Sequence, residues 1–111
     1  MNSCVFCRIV AGELPTQKVW EDEEIVAFKD VNPSAPVHVL VVPKRHIDKL
    51  TEATSQDRDL LGGLQLAAAV VAQKMGIADG FRLMLNNGAS AGQVVWHLHY
   101  HVQGGWKGGV K

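Results

Sequence analysis

A chain of 111 residues that is 47% apolar has enough hydrophobic material for one compact domain and too much for a disordered segment. Its 11 basic and 11 acidic residues cancel, leaving no electrostatic footprint for nucleic acid or an anionic membrane. No run approaches a membrane span, and the start Met1-Asn2-Ser3-Cys4 lacks a basic stretch followed by a long apolar one, so a cytoplasmic protein without a signal peptide is expected.

Val5 to Ala11 reads as a short helical turn, closed by Gly12 and then Pro15. Lys18-Val19-Trp20 and Ile25-Val26-Ala27-Phe28 read as two strands around the acidic turn Glu21-Asp22-Glu23-Glu24. Pro33 and Pro36 make the segment from Val31 to Pro36 a loop. Val37 to Val42 is β-branched and apolar, a buried strand stopped by Pro43. From Thr54 to Met75, Leu60, Leu61, Leu64, Ala68, Val71 and Met75 follow helical spacing. That predicts one long helix, capped by Thr54 or Ser55 and ended at Gly76. Gly62 and Gly63 lie inside it at a cost of about 1 kcal/mol each relative to alanine, which points to close packing on a neighbouring element or another subunit. Phe81 to Asn86 is a further strand, and Asn87 to Gly92 a loop of small residues. Val94 to Val102 is the last strand, followed by an irregular glycine-rich tail. One long and one short helix among strands predict a single α+β domain over residues 1–111, with a mainly antiparallel sheet.

The last strand carries His97, His99 and His101 at every second position. Successive side chains of a strand alternate between faces. Val94, Trp96, Leu98, Tyr100 and Val102 are therefore expected to face a core, and the three imidazoles to form a wall on the other side. A lone histidine on a strand is ordinarily a satisfied core or surface residue; three in register each need solvent or a partner. One ion shared by all three is awkward, because at ~3.3 Å per residue the outer two backbones lie ~13 Å apart. Separate tasks fit better. Imidazole, titrating nearest physiological pH, suits an active site.

The run from Gly92 to Val102 resembles the histidine-triad (HIT) signature, His-x-His-x-His followed by an apolar residue. Cys4-Val5-Phe6-Cys7-Arg8-Ile9-Val10 resembles that family's opening helix. Ala27-Phe28-Lys29-Asp30-Val31-Asn32-Pro33 resembles its ribose-binding segment, and the run from Pro36 to His46 its central strand. The likeness spans nearly the whole chain and is to the nucleotide-binding, Hint-like branch. The third histidine separates it from the nucleotidyltransferase branch, which has glutamine there.

The resemblance implies a HIT-like fold and a homodimer whose sheet continues across two subunits. It implies hydrolysis of purine nucleoside phosphoramidates or acyl-nucleotides at the α-phosphate, with AMP or GMP bound. A dinucleoside polyphosphate hydrolase is the nearest alternative, and a nucleotide-binding or regulatory module with little turnover the alternative of another class. A neutral imidazole can form a covalent phosphoryl intermediate. The family assigns that attack to His99, donation to a phosphate oxygen to His101, and orientation of the catalytic imidazoles to His38. Without the likeness His38 would read as a satisfied core histidine. Asp30 is placed to bind ribose hydroxyls, or else is a solvated loop carboxylate. Phe6, Ile9, Leu14, Phe28 and Leu40 supply an apolar slot for a base, though each is an equally good core residue. Asn86, Gly92 and Gln93 are expected to help cradle phosphate from the small-residue loop. Val94 stands where many members of the branch carry serine; valine cannot donate, so His101 or water supplies the leaving-group proton, or the leaving group differs.

Cys4-x-x-Cys7 leaves a redox pair or a metal half-site open. Two histidines complete a tetrahedral zinc site with such a pair. His46 and His97 are the spare candidates, and several family members have a similar Cys-Cys-His-His pattern. In that scheme His97 is structural.

Overall fold

A computed structural model describes residues 4–110. The chain runs α1 (Val5–Val10), β1 (Lys18–Glu21), β2 (Ile25–Lys29), β3 (Val37–Pro43), α2 (Arg58–Lys74), β4 (Phe81–Met84) and β5 (Tyr100–Gly104). The five strands form one sheet in the order β1-β2-β3-β5-β4, every pairing antiparallel. The α+β class and the antiparallel sheet follow the sequence reading. Among the described residues, no helix is long and apolar enough to cross a membrane.

Both faces of β2 and β3 are buried, which is why these strands read as continuous apolar runs rather than alternating ones. Ile25, Ala27, Val39 and Val41 face α2 and pack with Leu64, Ala68 and Val71. Val26, Phe28, Leu40 and Val42 face the opposite side and pack with Phe6 and Ile9 of α1. α2 opens through a 3₁₀ turn, Ser55–Asp57, with a capping box: Thr54 accepts from the Gln56 amide and Asp57 from the Thr54 amide. Gly76, at φ +74°, follows its end. Gly63 brings α2 against β2: a Cβ there would sit 3.3 Å from Ile25 Cδ1, whereas one on Gly62 would meet nothing within 4 Å.

Two expectations need correction. β4 ends at Met84, two residues short of Asn86. The histidine segment is not one strand: β5 begins only at Tyr100, and 94–99 precede it as irregular chain. Val94 and Trp96 do not face the core; they are 83% and 43% exposed. From His97 onward the sides still alternate: Leu98 packs into the α2-side core, while His97 and His99 lie edge-on to Phe6 on the α1 side. Pro43 explains the break. It has no N–H for the ladder, and its carbonyl accepts from the His97 ring rather than from a β5 amide. The segment is anchored instead by the Leu98 amide, which donates to the Ile47 carbonyl at 2.6 Å.

Gly104 of β5 marks a close approach. An added Cβ would lie 2.8 Å from Ile77 Cδ1 and 3.0 Å from the Gly80 carbonyl oxygen. Gly104→Ala should therefore destabilise the fold by about 1–3 kcal/mol, as overpacking does. A urea midpoint equal to wild type would show that the turn after α2 yields freely.

Candidate active site and the cysteine–histidine cluster

Even-numbered positions of β3 and odd-numbered positions of β5 share the α1 side of the sheet, because Leu40 pairs with His101 and His38 with Gln103. α1 is only six residues long and covers part of that side. Beside it lies a cavity of about 520 Å³. Phe6, Ile9, Leu14, Phe28 and Leu40 line it, with Asp30, His99 and His101 among its polar groups. Phe6 meets Phe28 edge-on at 5.4 Å and His99 edge-on at 5.2 Å. The apolar residues that could equally have been plain core thus do both: they pack on one side and face the cavity on the other.

Hydrogen bonds settle which ring nitrogen carries each proton. The Ser34 amide donates to His38 Nδ1 at 3.0 Å, so the neutral ring is protonated at Nε2. That N–H donates to His101 Nδ1 at 2.9 Å, with Asp30 Oδ2 at 3.4 Å from the same nitrogen. His101 then carries its proton on Nε2, a buried atom without a hydrogen-bond partner among the described residues. Asp30 is itself held by the loop, its Oδ1 accepting the Asn32 amide at 2.8 Å. His99 is set the other way round. Its Nδ1–H donates to the His97 carbonyl at 2.7 Å, which leaves Nε2 with a lone pair. A lone-pair nitrogen and an N–H donor stand side by side, their rings 4.9 Å apart.

Burial keeps these rings neutral. It lowers the pKa values of His38 and His99, and carries His101 down to about 4, with His99 and His38 pushing the same way. A neutral His99 is a nucleophile; an imidazolium is not.

The second cluster lies next to the first. Cys4, Cys7, His46 and His97 bring four donor atoms within 4.8 Å of one another. His97 donates from Nε2 to the Pro43 carbonyl at 2.7 Å, so its Nδ1 lone pair faces Cys4 Sγ at 3.3 Å and Cys7 Sγ at 3.5 Å. His46 Nε2–H donates to Asp48 Oδ1 at 2.5 Å, turning Nδ1 to Cys7 Sγ at 3.2 Å. Both rings thus present a lone pair inward while a carbonyl or carboxylate holds the far nitrogen, the usual arrangement around a ligating histidine. Two thiols and two such imidazoles fit a tetrahedral zinc ion.

Not every expected residue reaches the cavity. Gln93 is buried with its amide fully used: Oε1 accepts the Gly88 amide, and Nε2 donates to the Asp48 and Val95 carbonyls. The amides of Ala91, Gly92 and Gln93 bond within the loop. Asn86 and Gly92 face each other, 3.8 Å separating Asn86 Nδ2 from the place of a Gly92 Cβ. The loop thus braces the site, and the donors expected of Asn86 and Gln93 lie outside the cavity wall. Val94 does reach it, together with Val95, to which the sequence reading gave no role. Val31 and Asn32 were also missed as lining residues; their place beside Asp30 in the segment that resembles the ribose-binding one was the available signal.

Comparison with known proteins agrees with this geometry. The HIT domain model matches residues 11–108. Protein HitA of Neisseria gonorrhoeae is 46% identical over 104 residues, covering 94% of this chain and 97% of that protein. An uncharacterized HIT-like protein of Synechocystis is 52% identical over 101 residues, covering 91% and 89%. The HIT family hydrolase of Clostridium thermocellum superposes with a TM-score of 0.94 at 47% identity, covering 100% of this chain and 97% of that one. Matched over nearly its whole length, and carrying its three histidines on the scaffold those proteins share, this chain belongs to the histidine-triad, or HIT, family.

Proposed function

We propose that this protein is a nucleotide-binding hydrolase that cleaves purine nucleoside 5′-phosphoramidates or acyl-nucleotides, releasing AMP or GMP through a nucleotidyl-His99 intermediate. The observation that carries this reading is the pairing of the His99 Nε2 lone pair with the His101 Nε2–H beside an apolar cavity that also holds Asp30. Relatives described as HIT family hydrolases support the reaction class. The base packs between Phe6, Ile9 and Leu40, and the Asp30 carboxylate accepts ribose hydroxyls. His99 Nε2 attacks the α-phosphorus. An N–P bond forms as the bond from phosphorus to the leaving group breaks; a carboxylate leaves with the electron pair, and an amine leaves with that pair and a proton from His101 or water. His101 Nε2–H donates to a phosphoryl oxygen as charge gathers there. Water then attacks the same phosphorus, its proton passing to solvent, the N–P bond breaks, and His99 recovers its lone pair.

Val94 favours one side of this choice. It is 83% exposed at the border of the main cavity and a neighbouring one of about 460 Å³, and has no proton to give. An amine departs only with a proton; a carboxylate or a phosphate departs without one. Acyl-nucleotides, and dinucleoside polyphosphates as the second reading, suit a valine there better than phosphoramidates do.

His99→Ala should bind AMP nearly as well as wild type, since Asp30 and the apolar wall are untouched, yet turn over all three substrate classes far more slowly. His101→Ala should lose about 10²–10³ in rate, the usual loss for one transition-state donor. Mass spectrometry of quenched wild-type reactions should place a nucleotidyl group on His99. Binding without turnover of any class would favour a nucleotide-binding module, and a modified residue other than His99 would overturn the mechanism.

Zinc is the proposed structural cofactor, held by Cys4, Cys7, His46 and His97. Bound there, it ties α1 to the His97 segment and takes no part in the chemistry. Protein purified without chelator should carry about one zinc per chain. Cys4→Ser should lose the metal and melt lower, because metal binding energy is then folding energy. Metal-free protein with unchanged melting would leave the cysteines a packing role.

The proposed assembly is a homodimer. β4 is an edge strand, and edges with apolar exposure invite pairing. Phe81 and Leu83 on β4 and Leu66 and Val70 on α2 are exposed apolar residues, and Gly62 continues the helical row. Pairing of β4 with the β4 of a second copy would extend the sheet. Sedimentation should give twice the 12.1 kDa chain mass, and Leu66→Glu, now 72% exposed, should give monomer. A wild-type monomer at micromolar concentration would exclude this assembly.

A further inference from the structure

The register of the sheet places Arg82 of β4, Gln103 of β5 and His38 of β3 on one rung, since Arg82 pairs with Gln103 and Gln103 with His38. All three lie on the α1 side. Gln103 is buried on the same face of β5 as His101. Arg82 Nε and Nη2 both donate to Gln103 Oε1 at 3.4 Å, which decides the orientation of the amide. The guanidinium is held in turn by the Trp106 ring, 5.3 Å from Cζ to centroid. With Oε1 so occupied, Gln103 Nε2 donates to Ser34 Oγ at 2.8 Å. Ser34 belongs to the loop between Pro33 and Pro36, and its amide is the donor that fixes the His38 tautomer. Its Oγ lies 3.5 Å from the same Nδ1.

We infer that Gln103 is a positioning residue: by tying Ser34 to the sheet it holds His38 in the Nε2–H tautomer, and so makes His101 present an N–H, rather than a lone pair, at its free Nε2. The inference rests on the proposed role of His101, but the proton positions themselves do not depend on turnover. A proline-flanked loop has few amides with which to anchor itself. A side chain reaching from the sheet supplies the missing constraint. Apolar residues would fill the Gln103 position at least as well by packing alone, and would leave both Arg82 and Ser34 without this partner.

Two-bond ¹H–¹⁵N correlation spectra of the rings, recorded where free imidazole is neutral, test this directly. In wild type, His38 and His101 should each show one sharp protonated Nε2 and one acceptor Nδ1. In Gln103→Leu and in Ser34→Ala the His38 nitrogens should move toward averaged positions, with those of His101 following. Ser34→Thr, which keeps the hydroxyl, should retain the wild-type pattern. For acyl-nucleotide hydrolysis, Gln103→Leu and Ser34→Ala should lower kcat roughly 10–100-fold, the usual cost of an outer orienting partner, with KM little changed. Should Gln103→Leu fail to fold, the exposed Ser34 pair of variants decides the matter alone. Wild-type ring spectra and kcat in a folded Ser34→Ala would overturn the inference. Wild type inactive on every substrate, with the ring pattern shifting as described, would sink the hydrolase reading and leave the positioning role standing.

Discussion

The hydrogen bond from His97 Nε2–H to the Pro43 carbonyl, 2.7 Å long, is the constraint from which the rest of the site follows. It orients a ring with no solvent exposure. Once that ring is fixed, its Nδ1 can point only at the two thiols, and the carbonyl of the same residue stands where His99 must donate to it. One residue thus sets the cysteine–histidine cluster with its side chain and the His99 ring with its backbone. Protonating His97 would turn an N–H toward the sulfurs; burial opposes this by lowering its pKa.

Crowded imidazoles are tolerable because none is charged. Ring centroids lie 5.1 Å apart for His38 and His101 and 4.9 Å for His99 and His101, spacings at which two imidazolium ions would repel strongly. The cavity therefore begins its work as an array of dipoles with one carboxylate nearby. An anionic group entering the cavity would find the His101 Nε2–H already set as a donor.

The fold class, both helices and the first four strands were legible in the residues, because β-branched runs, helical spacing and proline stops are local signals; β5 was read from Val94 although it begins at Tyr100. Phe6, Ile9, Leu14, Phe28 and Leu40 of the apolar wall were named for a different reason: Phe6, Phe28 and Leu40 come together only because β2 and β3 are buried on both faces, and the family resemblance supplied what spacing could not. Alternation misled at Val94 and Trp96, which precede the ladder. A period of two predicts faces only where a ladder exists, and no residue pattern announces that a proline carbonyl on another strand will be taken by a side chain. Gln93 failed likewise: an amide is a donor in the abstract, and its three bonds are visible only in the fold. Gln103 carried no signal at all, since its partners lie 21 and 69 positions away.

The doubly buried strands also restrict how such a protein can change over time. On β2 and β3, consecutive residues serve opposite masters: Val39 and Val41 belong to the packing against α2, Leu40 and Val42 to the side that holds the cavity. Substituting a cavity-side residue alters ligand preference while leaving the α2 side intact. Deleting or inserting a single residue in either strand exchanges the two sides at a stroke, putting His38 among the α2 contacts and a valine on the cavity side. Diversification along these strands must then proceed by replacement at fixed length, and new activities that need a longer wall must find it in the loops or in the tail beyond β5.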